Sequence, residues 1–167
     1  MASLRHDLLG TVAFDPTDEL NEWESEIPWL DDTIGVDITF DGAAMDQRTL
    51  DRVGRYLTDL VAFDQNARAA MRMEVNVDES AVRVYLEHHL DDPDLIRPVL
   101  GLDADSVVST DAFVGALRLL RVGLYVGTEI SQHEAIFDYS IDPDGTQYLV
   151  VVRFDAHGRV DDICIES

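Results

Sequence analysis

The chain has 167 residues, with 34 acidic side chains against 12 basic ones, and a formal net charge of −22. Every basic side chain is arginine, and lysine is absent. A surface this negative repels nucleic acid and anionic lipid and attracts basic proteins and cations, so neither nucleic-acid binding nor membrane binding is expected.

Apolar residues make up 46% of the chain, enough for a buried core, and the length predicts a single domain over 1–167. The first residues, Met1 to Asp7, hold no apolar run, so no secretory leader is expected. No apolar stretch approaches the roughly 20 residues of a membrane-spanning helix. The single cysteine, Cys164, cannot form an intrachain disulfide, which fits a reducing compartment and predicts a cytoplasmic protein.

The first forty residues read as strands. Leu8 to Phe14 predicts a short strand, followed by a turn at Asp15-Pro16. Glu22 to Leu30 holds Trp23, Ile27 and Trp29 in rough alternation. From Thr33 to Phe40, Ile34, Val36, Ile38 and Phe40 alternate with polar or small residues, the pattern of a half-buried antiparallel strand. Asp41-Gly42 ends it. A long helix is expected over Asp46–Met73, with Asp46 as N-cap and Leu50, Val53, Leu57, Leu60, Val61, Ala67 and Met71 near the helical period. Asp51–Arg55 and Asp64–Arg68 are expected as i,i+4 pairs on its outer side.

A second helix is expected after Asp78, with Val82, Tyr85, Leu86, His89 and Leu90 facing inward, ending near Asp92 ahead of Pro93. Asp94 to Leu100 predicts one more turn, limited by Pro98. Ser109 or Thr110 can cap a third helix carrying Phe113, Val114, Leu117 and Leu120. The remaining chain predicts a β-meander. Leu120, Val122, Leu124 and Val126 alternate, then Phe137, Tyr139 and Ile141. Asp142-Pro143-Asp144-Gly145 predicts a turn. Tyr148 to Val152 is apolar on both faces and predicts a central strand, and Val160 to Ile165 closes the meander after a turn at Ala156-His157-Gly158. The expected fold is therefore α+β: a mostly antiparallel sheet with a C-terminal β-meander, and two to three helices packed on one face.

The C-terminal third, from Asp138-Tyr139-Ser140-Ile141-Asp142-Pro143 through Leu149-Val150-Val151-Val152-Arg153-Phe154-Asp155 to the terminal Glu166-Ser167, resembles the bacterial family known as domain of unknown function 2004. The resemblance implies a fold built on a Tyr-rich hairpin and a Leu-Val-Val-x-Phe-Asp strand. It transfers no catalytic residue, and its context implies partner-binding or toxin-neutralising proteins.

The chemical candidates are few. His88-His89, with Asp92, is the densest set of potential ligands, but adjacent helical residues point about 100° apart and cannot share a metal, so a core His89 and a solvated His88 are expected. His133-Glu134 begins like a metalloprotease motif, but Phe137 stands where the second histidine is needed. An alternative reading keeps this pair, with Glu129 and His88, as the centre of a small hydrolase or metal-binding protein. The turn at Asp142 lacks the closing acid of a calcium loop, because Arg153 occupies that position. Asp161-Asp162 reads as edge-strand charge, and Cys164 as an inert strand residue. No catalytic residue, metal ligand or cofactor is expected.

The acid is concentrated. Asp15, Asp18, Glu19, Glu22, Glu24, Glu26, Asp31, Asp32, Asp37, Asp41 and Asp46 follow one another without an intervening basic residue, and Trp23 and Trp29 lie among them. Aromatics amid carboxylates compose a binding surface for an arginine- or lysine-rich partner. Trp23, Glu22, Glu24, Glu26, Trp29, Asp31 and Asp32 are the expected binding residues. The leading expectation is a non-enzymatic interaction protein, of the immunity type, for a basic partner. The bland alternative is acid as adaptation to salt.

Overall fold

The computed structural model describes residues 1–103, 105–128 and 131–167. It opens with a hairpin of β1 (Ala2–His6) and β2 (Gly10–Phe14), paired antiparallel as a separate two-stranded sheet. Only β2 was expected from the sequence. In β1 the inward positions hold Ala2, Leu4 and His6, a weak apolar signal. Val12 and Phe14 of β2 are buried, and Phe14 meets Phe40 edge-on at 5.3 Å.

β3 (Asn21–Trp29) and β4 (Asp32–Phe40), both expected as strands, pair antiparallel as a second hairpin. A single 3₁₀ turn at Gly42–Ala44 leads to α1 (Gln47–Thr58), whose N-cap is Asp46, accepting from the Thr49 amide at 2.7 Å. The expected long helix is broken at Asp59, and α2 (Leu60–Glu74) follows directly. Aspartate disfavours a helix interior, while the apolar period continues across the break and hid it. Asp64–Arg68 pairs at 2.9 Å, but on the inner rather than the expected outer side, where Asp64 accepts from Tyr139 and Arg68 reaches the Val114 and Leu117 carbonyls. Asp51 does not hold Arg55: it accepts from Gln47 at 2.7 Å, and Arg55 reaches Glu134 at 3.2 Å.

α3 (Ala81–Leu90) is capped by Ser80, and α4 (Pro93–Leu100) by Asp92, with Pro93 in the first turn, where its missing N–H costs nothing. α5 (Thr110–Ala116) is capped by Ser109. The helical layer thus holds five α-helices among the described residues rather than two or three, because the first is split and the Pro93 segment forms two full turns. β5 (Arg118–Val126), β6 (Ala135–Ser140), β7 (Leu149–Phe154) and β8 (Val160–Glu166) complete the meander.

The main sheet has six strands in the order β3-β4-β5-β6-β7-β8, with β7 internal as predicted. All neighbours are antiparallel except β4 and β5, which run parallel with Ile38 opposite Leu124. A parallel pair needs a crossover, and here all five helices supply it. The fold is α+β, with mostly antiparallel strands and a C-terminal meander.

Helices cover one face of this sheet. Tyr56 of α1 packs on Phe137 and Phe154, Tyr139 donates to Asp64 of α2, and Tyr85 of α3 accepts from the Ile141 amide and donates to the Tyr148 carbonyl. Ile34, Val36, Ile38, Phe40, Val122, Leu124, Val150, Val152 and Phe154 complete that core. No helix of the described residues is long and apolar enough to cross a membrane.

Candidate protein-binding face

The period of two along β3 separates its acids from its indoles. Glu22 lies opposite Thr39, Glu24 opposite Asp37 and Glu26 opposite Gly35, on the face away from the helices. Trp23 lies opposite Ile38, and both it and Trp29 are half-buried against the core. The expected binding residues are therefore split between two sides of one edge strand. Glu22, Glu24 and Glu26 project from the open face and are exposed. Asp31 and Asp32 lie at the β3–β4 hairpin tip, where Asp32 meets Arg118 at 2.5 Å in a solvent-exposed pair.

The open face also carries Asp37, Arg121, Tyr125, Asp138, Arg153, Asp162 and Glu166, by the same registers. Arg121 is its fixed centre. Its guanidinium grips Asp37 with two hydrogen bonds, at 2.5 and 2.8 Å, and reaches Asp138 at 2.9 Å and the Tyr125 hydroxyl at 3.2 Å. Burial works against its charge, but the bonds to Asp37, Tyr125 and Asp138 outweigh it and raise its pKa. Gly123 makes room for this arrangement, since a Cβ there would stand 2.7 Å from the Arg121 Nη2. Asp138 is 8% exposed, and burial raises its pKa although Arg121 pulls the other way. Arg153 is tied to Asp162 at 3.0 Å and to Glu166 at 2.8 Å.

The two guanidiniums thus have their carboxylates on the sheet. Glu22, Glu24 and Glu26 form no ion pair among the described residues. Beside them a groove of about 690 Å³ runs over Gly35 and Asp37 to Arg121, bordered by Glu24 and Glu26. The sequence reading missed Arg121, Tyr125 and Asp138. Alternation around Val122 and Leu124 does place Arg121 and Tyr125 on the opposite face, but only the β4–β5 pairing brings Asp37 to them.

The other candidates resolve differently. Glu134 is buried, held by Arg52, by Arg55 at 3.2 Å and by the Tyr56 hydroxyl at 3.2 Å, all from α1. It braces α1 to the sheet. His133 lies 3.4 Å from Asp161, in a cleft with Tyr125 and Arg153. His88 lines a different cleft, with His89, Asp92 and the Asp144–Tyr148 turn. His133 precedes β6 and the second cleft follows it, so the two histidines stand at opposite ends of that strand. Glu129 lies outside the described residues. Among the described residues no group of three or more His, Cys, Asp or Glu is placed to hold a metal ion.

His89 is 2% exposed, as its place on the apolar side of the helix predicted. Asp142 accepts from the Asp144 amide at 3.2 Å and closes the expected turn. β8 is an edge strand, with Asp161 and Asp162 exposed on it. Cys164 is half-buried, and burial raises its thiol pKa. No family model, curated protein or solved structure matches this chain.

Proposed function

We propose that this protein is a non-enzymatic interaction module whose open sheet face binds a basic protein in the cytoplasm of a bacterial cell. An inhibitor of the immunity type, covering a basic toxin, is the biological form that fits this chemistry and the resemblance carried by the C-terminal meander. The observation that carries the reading is the row Glu22, Glu24 and Glu26 on an exposed edge strand, free of ion pairs among the described residues and next to an open groove. Successive members of the row are roughly 7 Å apart, a spacing that arginine or lysine side chains of an opposing surface can match. Long-range attraction from the net charge of −22 steers such a partner, and the three free carboxylates supply local contacts.

The hydrolase reading gains no support, because Glu134 is already committed to Arg52, Arg55 and Tyr56. The test is capture from source-cell lysate at low and at physiological salt, with wild type beside the triple variant Glu22→Gln, Glu24→Gln, Glu26→Gln. The expected result is one basic protein retained by wild type and lost by the variant. Capture that ignores the three substitutions, or no basic protein retained at all, would sink the reading.

A further inference from the structure

Trp29 stands between two surface clefts at the sheet edge. One, of about 620 Å³, is walled by Leu8, Pro28, Trp29, Leu57, Leu60 and Val61, where the break between α1 and α2 faces the first hairpin. The other, of about 400 Å³, lies between Trp29, Leu30 and the end of α5. Leu8 is 47% exposed, Val61 59% and Leu30 83%.

Leu30 is the unusual residue. Trp29 pairs with Asp32, so Leu30 and Asp31 are the whole hairpin loop, and Leu30 sits at φ +53. That region favours glycine, asparagine or aspartate, and a leucine there is strained. Its side chain meets water rather than the core, so the fold gains little from it. Strain without internal compensation points to a use outside the chain.

The rim of this apolar surface is acidic. Asp7 and Asp59 border the larger cleft and Asp31 the smaller, and none of the three is in an ion pair among the described residues. Arg68 and Arg118 also border the smaller cleft, but Arg68 is spent on Asp64 and the carbonyls of Val114 and Leu117, and Arg118 on Asp32.

We infer that this surface docks an amphipathic segment of the basic partner, with a bulky apolar side chain laid on Trp29 and Leu30 and arginine or lysine side chains over Asp7, Asp31 and Asp59. The inference rests on the reading of a basic partner and adds an apolar anchor on a second side of β3. A second copy of this chain would bring the same acidic rim and a further −22 of charge, and an anionic bilayer would be repelled in the same way.

The probe is a synthetic helix of about 18 residues, roughly five turns, made only of leucine on one face and arginine on the other. It is titrated into the full-length, ¹⁵N-labelled protein, with oligoarginine as the comparison. The Trp29 indole and the Leu8, Leu30 and Val61 amides should shift with the Leu–Arg helix. Leu30→Gly should weaken that binding about tenfold or more while leaving Tm unchanged or higher, because glycine accepts the left-handed backbone. Unshifted Trp29 signals, or a Leu30→Gly variant that binds as wild type, would overturn the inference. So would a Leu30→Gly variant that loses Tm, since Leu30 would then serve the fold.

The two readings fail separately. Oligoarginine bound at Glu22, Glu24 and Glu26 as tightly as the Leu–Arg helix, with Leu30→Gly silent, removes the anchor and keeps the basic partner. Binding at Trp29 that survives neutralisation of those glutamates keeps the anchor and removes the face. A dimer in analytical ultracentrifugation that Leu30→Gly dissolves, or sedimentation with phosphatidylglycerol vesicles, assigns the surface to another occupant and overturns the inference.

Discussion

His89 donates its Nδ1 proton to the Tyr85 carbonyl at 2.8 Å, since a carbonyl can only accept. The neutral ring then leaves Nε2 to accept from the Thr146 hydroxyl at 3.1 Å, joining α3 to the β6–β7 turn. Burial lowers the His89 pKa, the neighbouring His88 adds to this, and the Tyr85 carbonyl and Asp92 oppose it. The sign follows from which state takes the proton first. As pH falls below about 6.5, the unfolded chain protonates while the folded chain resists, so this group's contribution to stability is full above that value and declines below it. Asp138 acts in the opposite sense, because its raised folded pKa lets the folded state protonate first. An NMR titration of the His89 ring should give a midpoint below about 6.5, and a midpoint at or above that value would show that the Tyr85 carbonyl and Asp92 outweigh burial.

At the scale of elements, the joint between the two hairpins and α1 depends on Gly42. A Cβ there would collide with the Asp15 carbonyl and stand 2.9 Å from the Pro16 Cα, both backbone. The Gly42 amide also donates to the Asp18 carbonyl at 2.9 Å. Gly42→Ala should therefore lower stability by about 1–3 kcal/mol, read as a fall in urea midpoint at constant slope. An unchanged midpoint would mean that the 15–18 turn yields at no cost. Strand patterns were legible where one face is buried and the other wetter, as in β3 and β4, because period two and burial then coincide. β1 escaped because Ala2, Leu4 and His6 barely contrast with Ser3 and Arg5. The acidic row on β3 could be read from spacing alone. The Asp37–Arg121–Asp138 cluster could not, since the parallel pairing that builds it joins segments 84 residues apart. Alternation along β3 sets Trp23 and Trp29 against Glu22, Glu24 and Glu26, yet the sequence reading grouped all five on one binding surface, and the exposure of Leu30 in a left-handed turn left no sequence signal.

For the whole molecule, the charge of −22 opposes compactness as well as steering partners. Several local pairs soften it on the sheet, including Arg121 with Asp37 and Arg153 with Glu166. The screening length falls from about 30 Å at 10 mM salt to about 3 Å at 1 M, so Tm should rise with sodium chloride across that range. A flat Tm would show that these pairs already balance the repulsion, and acid as salt adaptation would lose its physical basis. The single parallel contact, β4 beside β5, has a bearing on synthesis. The strand that flanks β4 on its inner side is followed only by the meander and preceded by every helix. A ribosome therefore releases β3, β4 and the helical layer before the strand that joins them to the rest of the sheet exists. Until residues 118–126 emerge, the hydrogen-bonding inner edge of β4 is an open seam in the nascent chain, and the helices have no completed sheet on which to lie.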